Sequence, residues 1–303
     1  LLKTLLDRNE CEIVTIVIKN ELLTVEIGKP GQYAGSRFDW TGFIHQVTLA
    51  AGNHTFCTPE SLVAGSGSGG IGLCNEFGIR MPVGYDDTAV GDYFPKVGAG
   101  LLQRTDLEPY DFFKEYPIQP YPIQSEQGAD YVRYIADPIP HNGYAFRFEK
   151  EVRIEGATLT IHYELHNVGE KPVVTNEYVH NFLSIDHHPV GPDYVLHFPE
   201  QLVPSHDMTG SVLEFNGQHV SWSKKVDTMF QCNLPGYESD VPYYWELTHK
   251  KAGVGLRERG RSPASSVVLW YTSHVLSPEI FVDINVKPGE CQRWSRSYDF
   301  FTM

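Results

Sequence analysis

The sequence predicts an all-β protein, a large antiparallel β-sandwich. Three observations carry this reading. Apolar residues recur with a period of two in several segments, these runs stop at turns rich in Gly and Pro, and helical periodicity is weak throughout. Alternation buries one face of a strand and leaves the other polar, and many short strands of this kind pack as facing sheets.

The elements follow in order. Apolar and polar residues alternate over Leu23-Thr24-Val25-Glu26-Ile27, and Lys29-Pro30-Gly31 ends the run. Residues Tyr110 to Tyr116 are the best helical candidate, about two turns long. From Tyr144 the even positions Phe146, Phe148, Val152 and Ile154 are apolar, with Lys150 the exception. A turn at Glu155-Gly156 leads into Leu159, Ile161, Tyr163 and Leu165, which makes a β-hairpin. A second hairpin joins Ile280, Val282, Ile284 and Val286, through Lys287-Pro288-Gly289-Glu290, to a last strand with Trp294, Tyr298 and Phe300. No linker divides residues 1–303, which read as one domain.

Composition narrows the function. The 303 residues are 41% hydrophobic and 20% charged, with a formal net charge of -14. That charge repels nucleic acid and anionic membrane, and suits an uncharged small molecule. Five widely spaced cysteines (Cys11, Cys57, Cys74, Cys232 and Cys291) form no CxxC pair. They read as mostly buried thiols in a reducing cytoplasm. No apolar run approaches the length of a membrane span.

Gly65-Ser66-Gly67-Ser68-Gly69-Gly70 matches GxGxxG formally, but no strand-to-helix context surrounds it, so it reads as a flexible loop. The thirteen histidines include no HExxH; a metal would have to be assembled from distant residues such as His141, His180 and Glu177. Four stretches place ionisable groups among turns and aromatics: Gly35 to Ile44 with Arg37, Asn75 to Arg80 with Glu76, Thr175 to Phe182 with His180, and Ser277-Pro278-Glu279-Ile280. Taken singly, each also reads as a surface ion pair, a solvated carboxylate or a core histidine.

In their order, these stretches resemble the galactose mutarotase-like (aldose 1-epimerase) superfamily along nearly the whole chain. The resemblance implies that family's large β-sandwich, or supersandwich. It also implies a general acid at His180, a general base at Glu279 and a sugar-facing Arg37. Arg80, Asn176, Tyr178 and Glu76 are further substrate-binding candidates, and Asp240 and Glu246 are possible additional acids. One departure stands out: Glu76 occupies a stretch where family members commonly carry a histidine.

Mutarotation opens and recloses a sugar ring. It needs one group to take the anomeric proton and another to protonate the ring oxygen. A carboxylate and an imidazole suit these tasks near neutrality, and no metal or redox cofactor is required. Trp40, Phe77 and Tyr178 are candidates to stack on a sugar face. The sequence thus points to a mutarotase acting on a carbohydrate as a monomer or homodimer. A lyase or isomerase of a sugar derivative, and a non-catalytic carbohydrate-binding module, are the alternatives.

Overall fold

The computed structural model describes residues 15–204, 208, 211–236 and 242–303. The first strands are β1 (Thr15–Lys19), β2 (Leu23–Gly28), β3 (Ile44–Leu49), β4 (His54–Thr55) and β5 (Leu73–Phe77). Next come β6 (Tyr93–Lys96), β7 (Gly100–Gln103), β8 (Ile118–Pro120), β9 (Ile123–Gln127), β10 (Tyr131–Ala136), β11 (Phe146–Glu155) and β12 (Thr158–Asn167). Then follow β13 (Val173–Asn181), β14 (Tyr194–His197), β15 (Leu213–Asn216), β16 (His219–Trp222) and β17 (Phe230–Asn233). The last are β18 (Pro242–His249), β19 (Val254–Pro263), β20 (Ser266–Tyr271), β21 (Leu276–Val286) and β22 (Cys291–Thr302). No α-helix occurs among the described residues, so none is long and apolar enough to cross a membrane.

Two large antiparallel sheets carry the fold. One has nine strands in the order β1-β2-β3-β5-β13-β21-β20-β17, with β4 beside β3. The other has ten, in the order β15-β16-β14-β18-β19-β22-β12-β11-β10-β9. A small sheet, β6-β7-β8, lies apart from both. The inward faces share one hydrophobic core that includes Val25, Val47, Val179 and Ile280 from the first sheet and Ile161, Leu165, Trp245 and Tyr298 from the second. Burying such faces is the main driving force for stacking the sheets.

The predicted hairpins form. β11 and β12 pair from Phe146–Asn167 to Glu155–Thr158, and Gly156 turns the chain at φ +58°, a conformation that favours glycine. β21 and β22 flank the turn at Gly289. The Tyr110 to Tyr116 stretch is not a helix. The Asp111 carboxylate accepts the Phe113 amide at 2.9 Å, and Tyr110 stacks on Tyr116 with centroids 5.7 Å apart. A side chain that bonds nearby backbone competes with helix hydrogen bonds, and the aromatic stack holds the resulting turn.

Phe77 is also not a sugar platform. It points into the core, edge-on to Phe148 at 5.2 Å and Trp294 at 6.3 Å. Of the cysteines, Cys57, Cys74 and Cys232 are buried, Cys291 is exposed, and all four are free. Cys11 lies outside the described residues.

Lys150, the exception to its strand's apolar face, points inward with the other even residues. Its ammonium donates to Asp39 Oδ2 at 3.1 Å, and both side chains are buried. Asp39 also accepts the Thr41 amide at 2.7 Å. Breaking a buried pair from one side leaves an uncompensated charge, so Lys150→Ala should cost about 3–5 kcal/mol. Urea unfolding checks this; a loss under about 1 kcal/mol, the range of exposed pairs, would show the pair to be solvated.

Candidate active site

Strand alternation puts successive side chains on opposite faces. On β5 and β13, Glu76, Tyr178 and His180 therefore share the face turned away from the sandwich core, and Asn75, Glu177 and Asn181 share the core face. β5 and β13 pair Glu76 with Tyr178 and Cys74 with His180. β21 delivers Glu279 beside His180, with His180 Nε2 and Glu279 Oε1 3.2 Å apart. Arg37, from the loop after β2, closes the group: Nε donates to Glu76 Oε2 at 2.9 Å and Nη2 to the Tyr178 hydroxyl at 3.3 Å. Tyr178 donates in turn to Glu76 Oε2 at 2.6 Å.

The structure thus gathers Arg37, Glu76, Tyr178, His180 and Glu279 into one cluster. Arg80 and Asn176 lie to one side. Arg80 Nη1 bonds the Ser266 hydroxyl at 2.8 Å, and the guanidinium lies over Phe281 at 4.1 Å. Asn176 Oδ1 accepts the amides of Arg80 and Met81 at 3.3 and 3.2 Å, which fixes the turn after β5. Glu246 pairs with Arg257 at 2.6 Å on the ten-stranded sheet, remote from the cluster, and Asp240 lies outside the described residues. Trp40 donates to Gly35 O at 2.8 Å. His141 pairs with Asp92, and Glu177 points away from His180, so the three distant metal candidates do not meet. No metal-holding group of three or more His, Cys, Asp or Glu occurs among the described residues.

Several contributors had no signal in the sequence. The His180 ring stacks on Phe182 at 3.8 Å and meets Trp270 edge-on at 5.1 Å, which fixes its orientation. Arg37 Nη1 donates to Ser68 Oγ at 2.8 Å, and Ser68 donates to Glu60 at 2.8 Å. The glycine-rich loop is therefore tied to the cluster; its Gly65, Gly67 and Gly69 adopt positive φ. Phe112 and Phe113 cover the Arg37 guanidinium at 4.8 and 5.4 Å. Together with residues 65–69, they line a cleft of about 530 Å³ that reaches Arg37. Lys96 is buried, donates to the Tyr110 hydroxyl at 3.0 Å, and is pushed down to about 8 by burial, against the opposing charge of Glu76.

Burial sets the electrostatics. His180 and Glu279 are 4% and 5% exposed. Burial, with help from the Arg37 charge, holds the imidazole well below its usual range. Burial also raises the Glu279 carboxyl to about 8, assisted by Glu76 and opposed by Arg37, Ser277 and Arg80. Desolvation disfavours the charged form of both. Burial therefore favours a protonated carboxyl facing a neutral imidazole. Two buried atoms of the cluster, Glu76 Oε1 and His180 Nδ1, have no hydrogen-bond partner among the described residues.

On the core side of the same strands lies a second polar group. Arg296 on β22 is fully buried. It donates to both oxygens of Glu177 at 3.1 and 2.8 Å, to Glu258 Oε1 at 2.7 Å, to the Tyr243 hydroxyl at 2.7 Å and to Ile280 O at 2.8 Å. All five guanidinium donors are used. Trp245 donates to Glu258 at 2.8 Å, Asn75 to Glu177 at 2.6 Å and Tyr298 to Asn181 at 3.0 Å.

A folded-state value near 8 for Glu279, against 4.5 when unfolded, means that the native state holds this proton more tightly. The stabilisation is complete below the unfolded value and is lost as pH rises through the folded one. Glu279→Gln has no such loss. Its thermal midpoint relative to wild type should rise between pH 5 and pH 8; an equal difference at both would show an ordinary carboxylate.

No protein-family profile and no curated protein matches the chain. Solved structures do. A galactose mutarotase-related enzyme from Lactobacillus acidophilus is 12% identical over 95% of this chain and 98% of its own, with a TM-score of 0.58. A galactose mutarotase-like protein from Lactobacillus casei is 12% identical over 95% and 100%, with a TM-score of 0.59. The GalM/aldose epimerase homologue from C. elegans is 11% identical over 96% and 99%, with a TM-score of 0.58.

Proposed function

The chain has the galactose mutarotase-like fold, and from that premise we propose that it is a sugar-acting isomerase that interconverts the anomers of a monosaccharide or sugar derivative. The observation that carries this reading is the buried His180–Glu279 pair, 3.2 Å apart and gathered with Arg37, Glu76 and Tyr178 on one sheet face.

A neutral imidazole and a protonated carboxyl are one base and one acid, the minimum that ring opening requires. His180 takes the proton from the anomeric hydroxyl as Glu279 gives its proton to the ring oxygen. The bond from the anomeric carbon to the ring oxygen breaks, and the carbonyl forms. After rotation about the adjacent carbon–carbon bond, the ring oxygen attacks the other carbonyl face. The protons return to Glu279 and to the new anomeric hydroxyl. In this reading Glu279 gives the first proton and His180 takes one, the reverse of the roles that the sequence resemblance implied. The unpartnered Glu76 Oε1 accepts a sugar hydroxyl, and Arg37 holds Glu76 and Tyr178 in place for it.

Exchange NMR or polarimetry on a panel of reducing sugars tests the reading. Wild type should speed anomer exchange, and Glu279→Gln and His180→Ala should each lower the rate roughly 10²–10⁴-fold. The rate should fall as pH rises through about 8, where Glu279 loses its proton. Exchange at the uncatalysed rate with every sugar, or a rate indifferent to both substitutions, would remove the proposal.

A further inference from the structure

The ladder between β13 and β21 is interrupted at the catalytic pair. It runs from Val173–Val286 to Glu177–Val282 and resumes, in the same register, at the Leu183–Leu276 bridge. His180 and Glu279 sit in the gap. The sequence supplies a cause: Pro278 has no N–H to give to a neighbouring strand, and proline is rare inside central strands for that reason.

An interrupted ladder leaves backbone groups that burial obliges the protein to satisfy. Side chains do it here. Asn181 Nδ2 donates to Pro278 O at 2.6 Å, and Arg296 Nη2 donates to Ile280 O at 2.8 Å. The Asn181 amide donates to Ser277 Oγ at 2.9 Å. The two carbonyls that flank Glu279 are thus both held from the core side, and Asn181 is the chain neighbour of His180.

We infer that Arg296 and Asn181 are positioning residues that hold the ladder open and set the spacing and dryness of the His180–Glu279 pair. The inference rests on the proposed role of that pair but does not need its substrate. Without these donors, Pro278 O and Ile280 O must bond water or the opposite strand. Water behind Glu279 would relieve the desolvation that keeps it protonated, and closure of the strands would shift the pair.

The test uses Asn181→Ser and Arg296→Lys, with Ile154→Val on β11 as a core control. Two readouts are taken: the Glu279 titration by carboxyl ¹³C NMR, and kcat and KM for anomer exchange. Both variants should lower the Glu279 midpoint by about one unit or more. They should also lower kcat about tenfold or more with KM changed by less than about threefold. The control should leave both readouts unchanged. Should Arg296→Lys fail to fold, Asn181→Ser decides alone. Folded variants with an unmoved midpoint overturn the inference. A midpoint that moves in a protein that turns over no sugar supports it and leaves the proposed reaction as the part that failed.

Discussion

A buried backbone carbonyl has to be hydrogen-bonded, and a sheet that opens its ladder has to find the partners elsewhere. Between β13 and β21 the burden falls on Arg296, whose five donors reach Glu177 on β13, Ile280 O on β21, and Glu258 and Tyr243 on the opposite sheet. One fully buried guanidinium therefore binds the sheet that carries the candidate site to the sheet that closes the sandwich. Its position is costly on its own, because two carboxylates and one cation are taken out of water together. Burial by itself pushes Glu177 upward, while Arg296 pulls it back. The return is geometric: the open strand pair holds a carboxyl and an imidazole in contact.

The two faces of β13 show how strand periodicity separates these duties. Glu177 and Asn181 face the core and build the scaffold, and Tyr178 and His180 face outward and build the candidate site. Glu76 links the two halves of the outward face through Arg37 and Tyr178. The same burial that strengthens those contacts favours the neutral forms of His180 and Glu279. Chemistry and stability then pull in opposite directions at Glu279, as is common where a site needs a perturbed carboxyl.

Much of this was legible in the sequence. Period-two alternation located β2, β11, β12, β21 and β22, because one buried face imposes that pattern. The ordered stretches around Arg37, Glu76, His180 and Glu279 named residues that the fold gathers. Other features had no such trace. Lys150 broke its apolar pattern, and only the fold shows Asp39 waiting for it across 111 positions of chain. Asn176 holds the turn after β5 by accepting the Arg80 and Met81 amides, and the Arg80 guanidinium reaches Ser266 and Phe281, placements that closeness in sequence to Glu76 and Tyr178 does not reveal. Phe77 stood next to Glu76, and alternation alone sends it to the core. Phe112 and Phe113 over Arg37, and the Arg37–Ser68 tie, are loop contacts across long separations, which no local pattern encodes. Pro278 was visible as a residue but not as an interruption inside a strand, since its meaning depends on which strand lies opposite.

The proposed chemistry turns on where one proton rests. Neutron diffraction from a deuterated crystal at neutral pH would locate it. A deuteron is expected on the Glu279 carboxyl and a single deuteron on the His180 ring. An imidazole deuterated on both nitrogens, facing a bare carboxylate, would contradict it.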